Sequence, residues 1–288
     1  MTVTVTGQTQ VLGIIGHPIS HSLSPPMQNA ALQRLGWDGI YVPFAVQPGA
    51  VKTALAGLWS LGVQGFNVTI PHKQAVMPLL TAVTPLAEAV GAVNTVWRQA
   101  TGWAGTNTDV LGFIAPLRDH GPTLQRAVIL GNGGAARAAV AGCCELACEE
   151  IWVVGRDAQK LQIFADSWQE SPLRPPLKVA QWDQLLDLLP STDLLVNTTP
   201  LGMHPHTDQS PVDAAALGLL PSTAIAYDLI YTPSPTRFLQ LAATQHLTTV
   251  DGVEMLVQQG AAALELWIQQ TPPVDTMRQA LKTHLGLG

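Results

Sequence analysis

The chain has 288 residues, 47% of them hydrophobic and 12% charged, with a formal net charge of -6. That balance excludes a disordered chain, and the scattered basic residues form no stripe that could neutralise a phosphate backbone, so nucleic acid is not an expected partner. The apolar runs are interrupted by Pro85, Glu88, Pro221 or Asp228, and Met1 to Gln10 lacks the basic start and apolar stretch of a signal peptide, so no membrane association and a cytoplasmic setting are expected.

The length implies two domains sharing a cleft. In chain order, β-type runs over Val11 to Gly16, Ile40 to Val46 and Gly65 to Ile70 alternate with helical patterns near 25 to 35 and 48 to 60, which predicts a mostly parallel α/β sheet. Ala92 to Trp97 and Gly102 to Thr106 read as a hairpin appended to it, and a helix from about Thr108 leads into a second series. That series has a strand over Ala127 to Leu130, a helix over 134 to 147 and a strand over Glu150 to Val154. Strands near 177 to 181, 193 to 197, 224 to 230 and 248 to 250 follow, giving a doubly wound Rossmann unit. Helices over about 253 to 270 and 274 to 284 close the chain. The expected division is 1–107, 108–252 and 253–288. Cys143, Cys144 and Cys148 lie too close together for a disulfide framework and lack metal-ligand spacing, so they are expected to be buried thiols with no metal site.

The sharpest motif is Gly131, Asn132, Gly133, Gly134, Ala135, Ala136, a G-x-G-x-x-A match lying between a predicted strand and a predicted helix, where a dinucleotide fingerprint belongs. Gly131 permits the tight turn, Gly133 lets backbone approach a pyrophosphate, and the helix N-terminus faces the anion. The next strand ends Val154, Gly155, Arg156. A guanidinium there matches a ribose 2′-phosphate, with Lys160 as a second cation, and points to NADP(H); Asp157 beside it would suit a free 2′-hydroxyl and leaves NAD open.

In the first domain, four polar segments fall at predicted strand ends: His21 to Pro25, Asn67 to Lys73, Gly91 to Thr95 and Gly105 to Asp109. Ser24 before Pro25 is placed to cap a helix. Lys73 stands out because it falls in the predicted first turn of a helix, where the dipole disfavours a cation. His17, His21 and His72 lie nearby and read as surface or turn residues.

Taken together, the segments H-S-x-S-P, N-V-T-x-P-x-K, G-A-V-N-T, G-x-N-T-D, the glycine loop and the late D-G-V-E-M-L-V-x-Q resemble the shikimate dehydrogenase family, in its order and across nearly the whole chain. The resemblance implies reversible NADPH-linked reduction of 3-dehydroshikimate to shikimate on the way to chorismate and aromatic amino acids, by a monomer or homodimer acting on this small-molecule substrate. It implies Lys73 and Asp109 as the catalytic pair, and Ser22, Ser24, Thr69, Asn94, Tyr231 and Gln259 as substrate-binding. It also implies Gly131, Asn132, Gly133, Gly134, Ala135, Gly155, Arg156, Asp157 and Lys160 in the cofactor loops, Leu229 and Gly252 near the nicotinamide, and terminal helices that return to the first domain. Where the family commonly shows Asn-Arg-Thr, this chain has Gly155-Arg156-Asp157. Two alternatives stay open on the residues alone: a quinate/shikimate dehydrogenase using NAD, and a non-catalytic nucleotide-binding sensor.

Overall fold

The computed structural model describes residues 5–118 and 124–287; Met1 to Thr4 lie outside the described residues. The chain divides into two compact units, Met1–Asp109 together with Val257–Gly288, and Val110–Leu256.

The first unit contains β1 (Gln10–Gly16), α1 (Ser24–Leu35), β2 (Gly39–Ala45), α2 (Val51–Ser60), β3 (Gly65–Val68), β4 (Ala82–Val83), α3 (Pro85–Val90), β5 (Thr95–Gln99) and β6 (Gly102–Thr106). Its sheet runs β2-β1-β3-β5-β6-β4. β1 pairs in parallel with β2 and β3, since a helix separates each strand from the next and a crossover of that length returns the chain in the same direction. Only Ala100 and Thr101 separate β5 from β6, too few residues for a crossover, so that pair is antiparallel, and β5 also runs antiparallel to β3. Ile15, Phe66, Val68, Val93 and Val96 are fully buried beneath α2, which contributes Val51, Leu55 and Leu58 to the same cluster.

The chain continues as α4 (Asp109–Ile114), β7 (Arg126–Leu130), α5 (Gly134–Glu145), β8 (Glu150–Gly155), α6 (Ala158–Asp166), β9 (Leu177–Gln181), α7 (Leu185–Leu188), β10 (Leu194–Asn197), α8 (Ala214–Leu217), β11 (Ile225–Asp228), α9 (Arg237–Thr244), β12 (Thr248–Val250), α10 (Gly252–Ile268) and α11 (Val274–Leu285). The six strands of the second unit are all parallel and lie in the order β12-β11-β10-β7-β8-β9. Counted within the unit this is 6-5-4-1-2-3, the doubly wound dinucleotide-binding order, whose reversal point lies between β7 and β10. Ligands of such sheets sit beyond the carboxyl ends of the strands at that point, which puts the segments after Leu130 and Asn197 in position. α11 packs on α1 in the first unit, and Trp267, near the end of α10, donates its indole N–H to the Val96 carbonyl at 2.9 Å.

Three local expectations need correction. Lys73 is not in a helix: residues 73–76 form turns leading to a single 3-10 turn at Met77–Leu79. The Lys73 carbonyl accepts from Val93 N–H at 2.8 Å, and Pro78 has no N–H with which to extend an i to i+4 ladder from Gln74. Ser24 is the first residue of α1 rather than its cap; Leu23 occupies the cap position without a side-chain bond, and Ser22 Oγ accepts from Ser24 N–H at 3.3 Å. His72 is buried, its Nε2 2.7 Å from the Val46 carbonyl, so it belongs to the packing of the turn that carries Lys73.

Candidate active site

Lys73 and Asp109 reach each other from two segments that follow different strands of the first unit's sheet. The Lys73 turn follows β3, and Asp109 opens α4 directly after β6. Lys73 Nζ donates to Asp109 Oδ2 at 2.6 Å, with the lysine side chain 17% exposed and the aspartate 9%. The other carboxylate oxygen, Oδ1, accepts from Asn94 Nδ2 at 2.8 Å. The segment 107–109 is held rigidly: Asn107 Oδ1 accepts from Asp109 N–H at 3.0 Å, and its amide donates to the Ala92 carbonyl at 2.9 Å. A charge pair so fixed and so little hydrated interacts far more strongly than one on the surface, and its ammonium is already aimed.

Asn94 organises what surrounds this pair. Its Oδ1 accepts from Thr108 N–H at 2.7 Å and from Thr95 Oγ1 at 3.0 Å; its Nδ2 also donates to Thr108 Oγ1 at 3.0 Å and lies 3.4 Å from Gln259 Oε1. Gln259 is on α10 and buried, so that helix supplies a side chain to the same cluster. Ser24 is buried, while Ser22 and Thr69 are half-buried. Reasoning from sequence leaves out Tyr41, Thr95 and Thr108, which complete the network. Thr95 and Thr108 sit inside the quoted segments, so their signal was present; Tyr41 on β2 gave none beyond a strand-type aromatic. Tyr231 is half-buried in the segment after β11 of the second unit.

In that unit the Gly131–Ala135 loop joins β7 to α5 beyond the sheet's reversal point. Gly131 has φ +103°, and a Cβ there would stand 2.8 Å from Thr198 Oγ1, so only glycine serves. Gly133 differs: its φ is ordinary, and a Cβ would meet nothing within 4 Å. As the cap residue, Gly133 has no side chain with which to bond the first-turn N–H groups of α5. Unsatisfied helix N–H groups beside a glycine with a vacant approach fit the pyrophosphate of a dinucleotide. Arg156 and Lys160 are exposed, and their cations fit a 2′-phosphate. Asp157 Oδ1 accepts from the N–H groups of Gln159 and Lys160, both at 3.0 Å, capping α6. The other Asp157 oxygen, Oδ2, lies 3.9 Å from Lys160 Nζ. Gly252 stands against Leu229, whose carbonyl oxygen would be 2.3 Å from a Cβ at 252, so the two residues form one close backbone contact.

Asp228, at the end of β11, is wholly buried. It accepts from Asn197 Nδ2 at 3.1 Å, Ile230 N–H at 3.0 Å and Thr236 Oγ1 at 2.6 Å, tying the segments after β10 and β11 together. Burial outweighs these bonds and pushes its carboxyl up to about 6 from 3.8, with Asp251 adding repulsion. A folded-state value raised above the unfolded one means that this group's stabilisation is complete below pH 3.8 and is lost as pH rises through about 6. Asp228→Asn has no charge to bury. Between pH 4 and 7 its stability relative to the native protein should rise by up to about 3 kcal/mol, since one pKa unit corresponds to about 1.4 kcal/mol. Thermal unfolding of both proteins across that range checks it, and a difference that does not change with pH would refute it.

Among the described residues no helix is long and apolar enough to cross a membrane, and no group of three or more His, Cys, Asp or Glu is arranged to hold a metal ion. Comparison with known proteins adds two family-model matches: a shikimate dehydrogenase substrate binding domain over residues 14–96 and a shikimate 5′-dehydrogenase C-terminal domain over residues 252–282. The shikimate dehydrogenase (NADP+) of Trichormus variabilis is 57% identical, the alignment covering 98% of this chain and 99% of that one. Among solved structures, shikimate 5-dehydrogenase from Thermus thermophilus in complex with NADP(H) and shikimate is 33% identical with a TM-score of 0.83, covering 96% of this chain and 99% of that one. Quinate dehydrogenase from Corynebacterium glutamicum in complex with NAD is 30% identical with a TM-score of 0.87 over 96% and 99%.

Proposed function

The chain belongs to the shikimate dehydrogenase (NADP+) family, and from that premise we propose that Lys73 and Asp109 are the proton-handling pair of its reaction. That reaction is the reversible NADPH-dependent reduction of 3-dehydroshikimate to shikimate, an oxidoreductase step of aromatic amino acid biosynthesis. The observation that carries the assignment is the 2.6 Å contact between Lys73 Nζ and Asp109 Oδ2 inside a buried polar network.

When bound, NADPH supplies the hydride from its nicotinamide. The substrate's carbonyl carbon accepts it, and negative charge then develops on the carbonyl oxygen. Lys73 Nζ donates a proton to that oxygen and, by its charge, stabilises the oxyanion beforehand. Asp109 orients the ammonium, and Asn94 holds Asp109 in turn. In the reverse direction Lys73 takes the hydroxyl proton. Ser22, Ser24, Thr69, Gln259 and Tyr231 hold the substrate's carboxylate and hydroxyls. Gly131 to Ala135 cradle the pyrophosphate, Arg156 and Lys160 meet the 2′-phosphate beside Gly155 and Asp157, and Leu229 with Gly252 lines the nicotinamide position. We place the enzyme in the cytoplasm, where its unpaired cysteines stay reduced, as a monomer or homodimer.

The NAD-linked quinate alternative is not favoured, because relatives more than half identical over 98% of the chain are NADP+ shikimate dehydrogenases. A non-catalytic sensor is not favoured on the same ground. Purified protein should oxidise NADPH when 3-dehydroshikimate is added, at least about tenfold faster than NADH at equal subsaturating concentration, a difference of about 1.4 kcal/mol. In reverse it should oxidise shikimate in preference to quinate. Equal rates with both cofactors, or absence of turnover, would overturn the reading.

A further inference from the structure

One buried amide of the first unit stands outside every role assigned above. Gln28, on α1, is wholly buried, and its Nε2 donates to the Gly260 carbonyl of α10 at 2.9 Å. That bond fixes the amide's orientation, since the reverse one would set two oxygens against each other, and it leaves Oε1 buried with no hydrogen-bond partner among the described residues. An orphaned acceptor makes this glutamine a poor stabiliser. An unbranched apolar side chain such as methionine would fill the space without that penalty, so the residue is better explained by where its one bond leads.

At one end, Ser24 lies one helical turn before Gln28, at i and i+4 on the same face of α1. At the other, Gly260 follows Gln259, whose Oε1 is 3.4 Å from the Asn94 Nδ2 that also holds Asp109. Both segments belong to the first unit. Their approach is close: a Cβ at Gly260 would stand 2.4 Å from Met27 Cε, so the backbone of α10 lies directly against α1 here. A hydrogen bond to one helix carbonyl is directional, and it therefore sets the rotation of α10 about its axis as well as its distance from α1. Turning α10 by about 10° carries a side-chain tip, about 5 to 6 Å from the axis, through about 1 Å. A displacement of that size is enough to spoil a substrate contact.

We propose that Gln28 is a positioning residue whose bond to Gly260 holds α10 in the rotation that aims Gln259 at a substrate gripped by Ser24. This rests on the reading above, in which Ser24 and Gln259 hold the substrate. Gln28 acts through Gln259, and its effect falls on substrate affinity.

A double-mutant cycle tests this. Gln28→Met should raise KM for 3-dehydroshikimate about fivefold, with kcat changed by less than about twofold and KM for NADPH unchanged. Its Tm should equal or exceed the native value, since the substitution removes the orphaned acceptor along with the bond. In a Gln259→Ala background the same substitution should raise KM by less than about 1.5-fold, because the amide it aims is gone. A fivefold rise in both backgrounds, or a native KM in Gln28→Met, overturns the proposal. If Gln259→Ala alone leaves KM unaltered, the substrate role of Gln259 falls first and the proposal with it, so the two failures are told apart. Gln28→Leu is the second variant: it differs in shape from methionine but equally lacks the donor, and its KM should match that of Gln28→Met whatever its Tm. KM values that instead follow a loss of Tm across the two variants mark general loosening and overturn the proposal, as does failure of both to fold.

Discussion

Lys73→Ala should lower kcat for 3-dehydroshikimate reduction by about a thousandfold, or about 4 kcal/mol of transition-state stabilisation, while leaving NADPH affinity within a few-fold of the native value. The size follows from two losses at one atom. General acid catalysis contributes about 10² to 10⁴ and a preorganised charge at a developing oxyanion about 10² to 10³, and since both come from the same ammonium they do not multiply fully. Asp109→Asn should be milder, about a hundredfold. The amide keeps the shape that Asn94 grips, and Lys73 stays in place, yet the carboxylate that aims and charges it is lost. KM for 3-dehydroshikimate should change less than kcat in both variants, because the contact matters most once charge has developed. Removing one partner of a half-buried ion pair also weakens the fold, so each variant must show native-like unfolding before its rate is compared. Steady-state rates with stopped-flow NADPH binding decide the matter, and kcat within threefold of native for both would remove the pair from the chemistry.

The legibility of this molecule differs between its levels for physical reasons. The long parallel strands were readable because runs such as Ala127 to Leu130 are buried on both faces and so are continuously apolar. The junction Leu130-Gly131 was readable because a turn with φ +103° demands glycine. The short helices at Leu185–Leu188 and Ala214–Leu217 were not predicted, since one turn carries no periodicity. Lys73 was assigned to a helix because nothing local reports that its carbonyl would be captured by Val93, twenty residues on. The side chains around Lys73 fall in segments that sequence alone could single out, whereas their hydrogen bonding depends on sheet register. Tyr41 enters the network only because β2 lies next to β1, and β1 next to β3, where Asn67 sits. A residue's partners across a sheet are a property of topology, and single-sequence patterning does not carry it.

The glycine loop yields the second large effect, and the choice of glycine decides whether the result is interpretable. Substituting Gly131 would force an unfavourable backbone onto a side chain and drive its Cβ toward Thr198, so any loss of binding would be confounded with a damaged turn. Gly133 is free of that difficulty. Its backbone is extended, with φ -92° and ψ -167°, and a Cβ would point into unoccupied space. Gly133→Val should therefore fold with a cost of about 1 kcal/mol or less, reflecting only the poorer helix cap. The cofactor should feel the substitution far more. A pyrophosphate bonded to the first amides of α5 must approach through the volume that the valine methyls would fill, so the anion is held off and its hydrogen bonds lengthen or break. Losing two charge-assisted bonds at about 1.5 to 3 kcal/mol each predicts NADPH affinity at least a hundredfold weaker. Calorimetric titration of NADPH, beside unfolding of the cofactor-free protein, separates the two quantities. Near-native affinity in a stable Gly133→Val protein would show that phosphate does not pass this loop, and would move the dinucleotide elsewhere on the second unit.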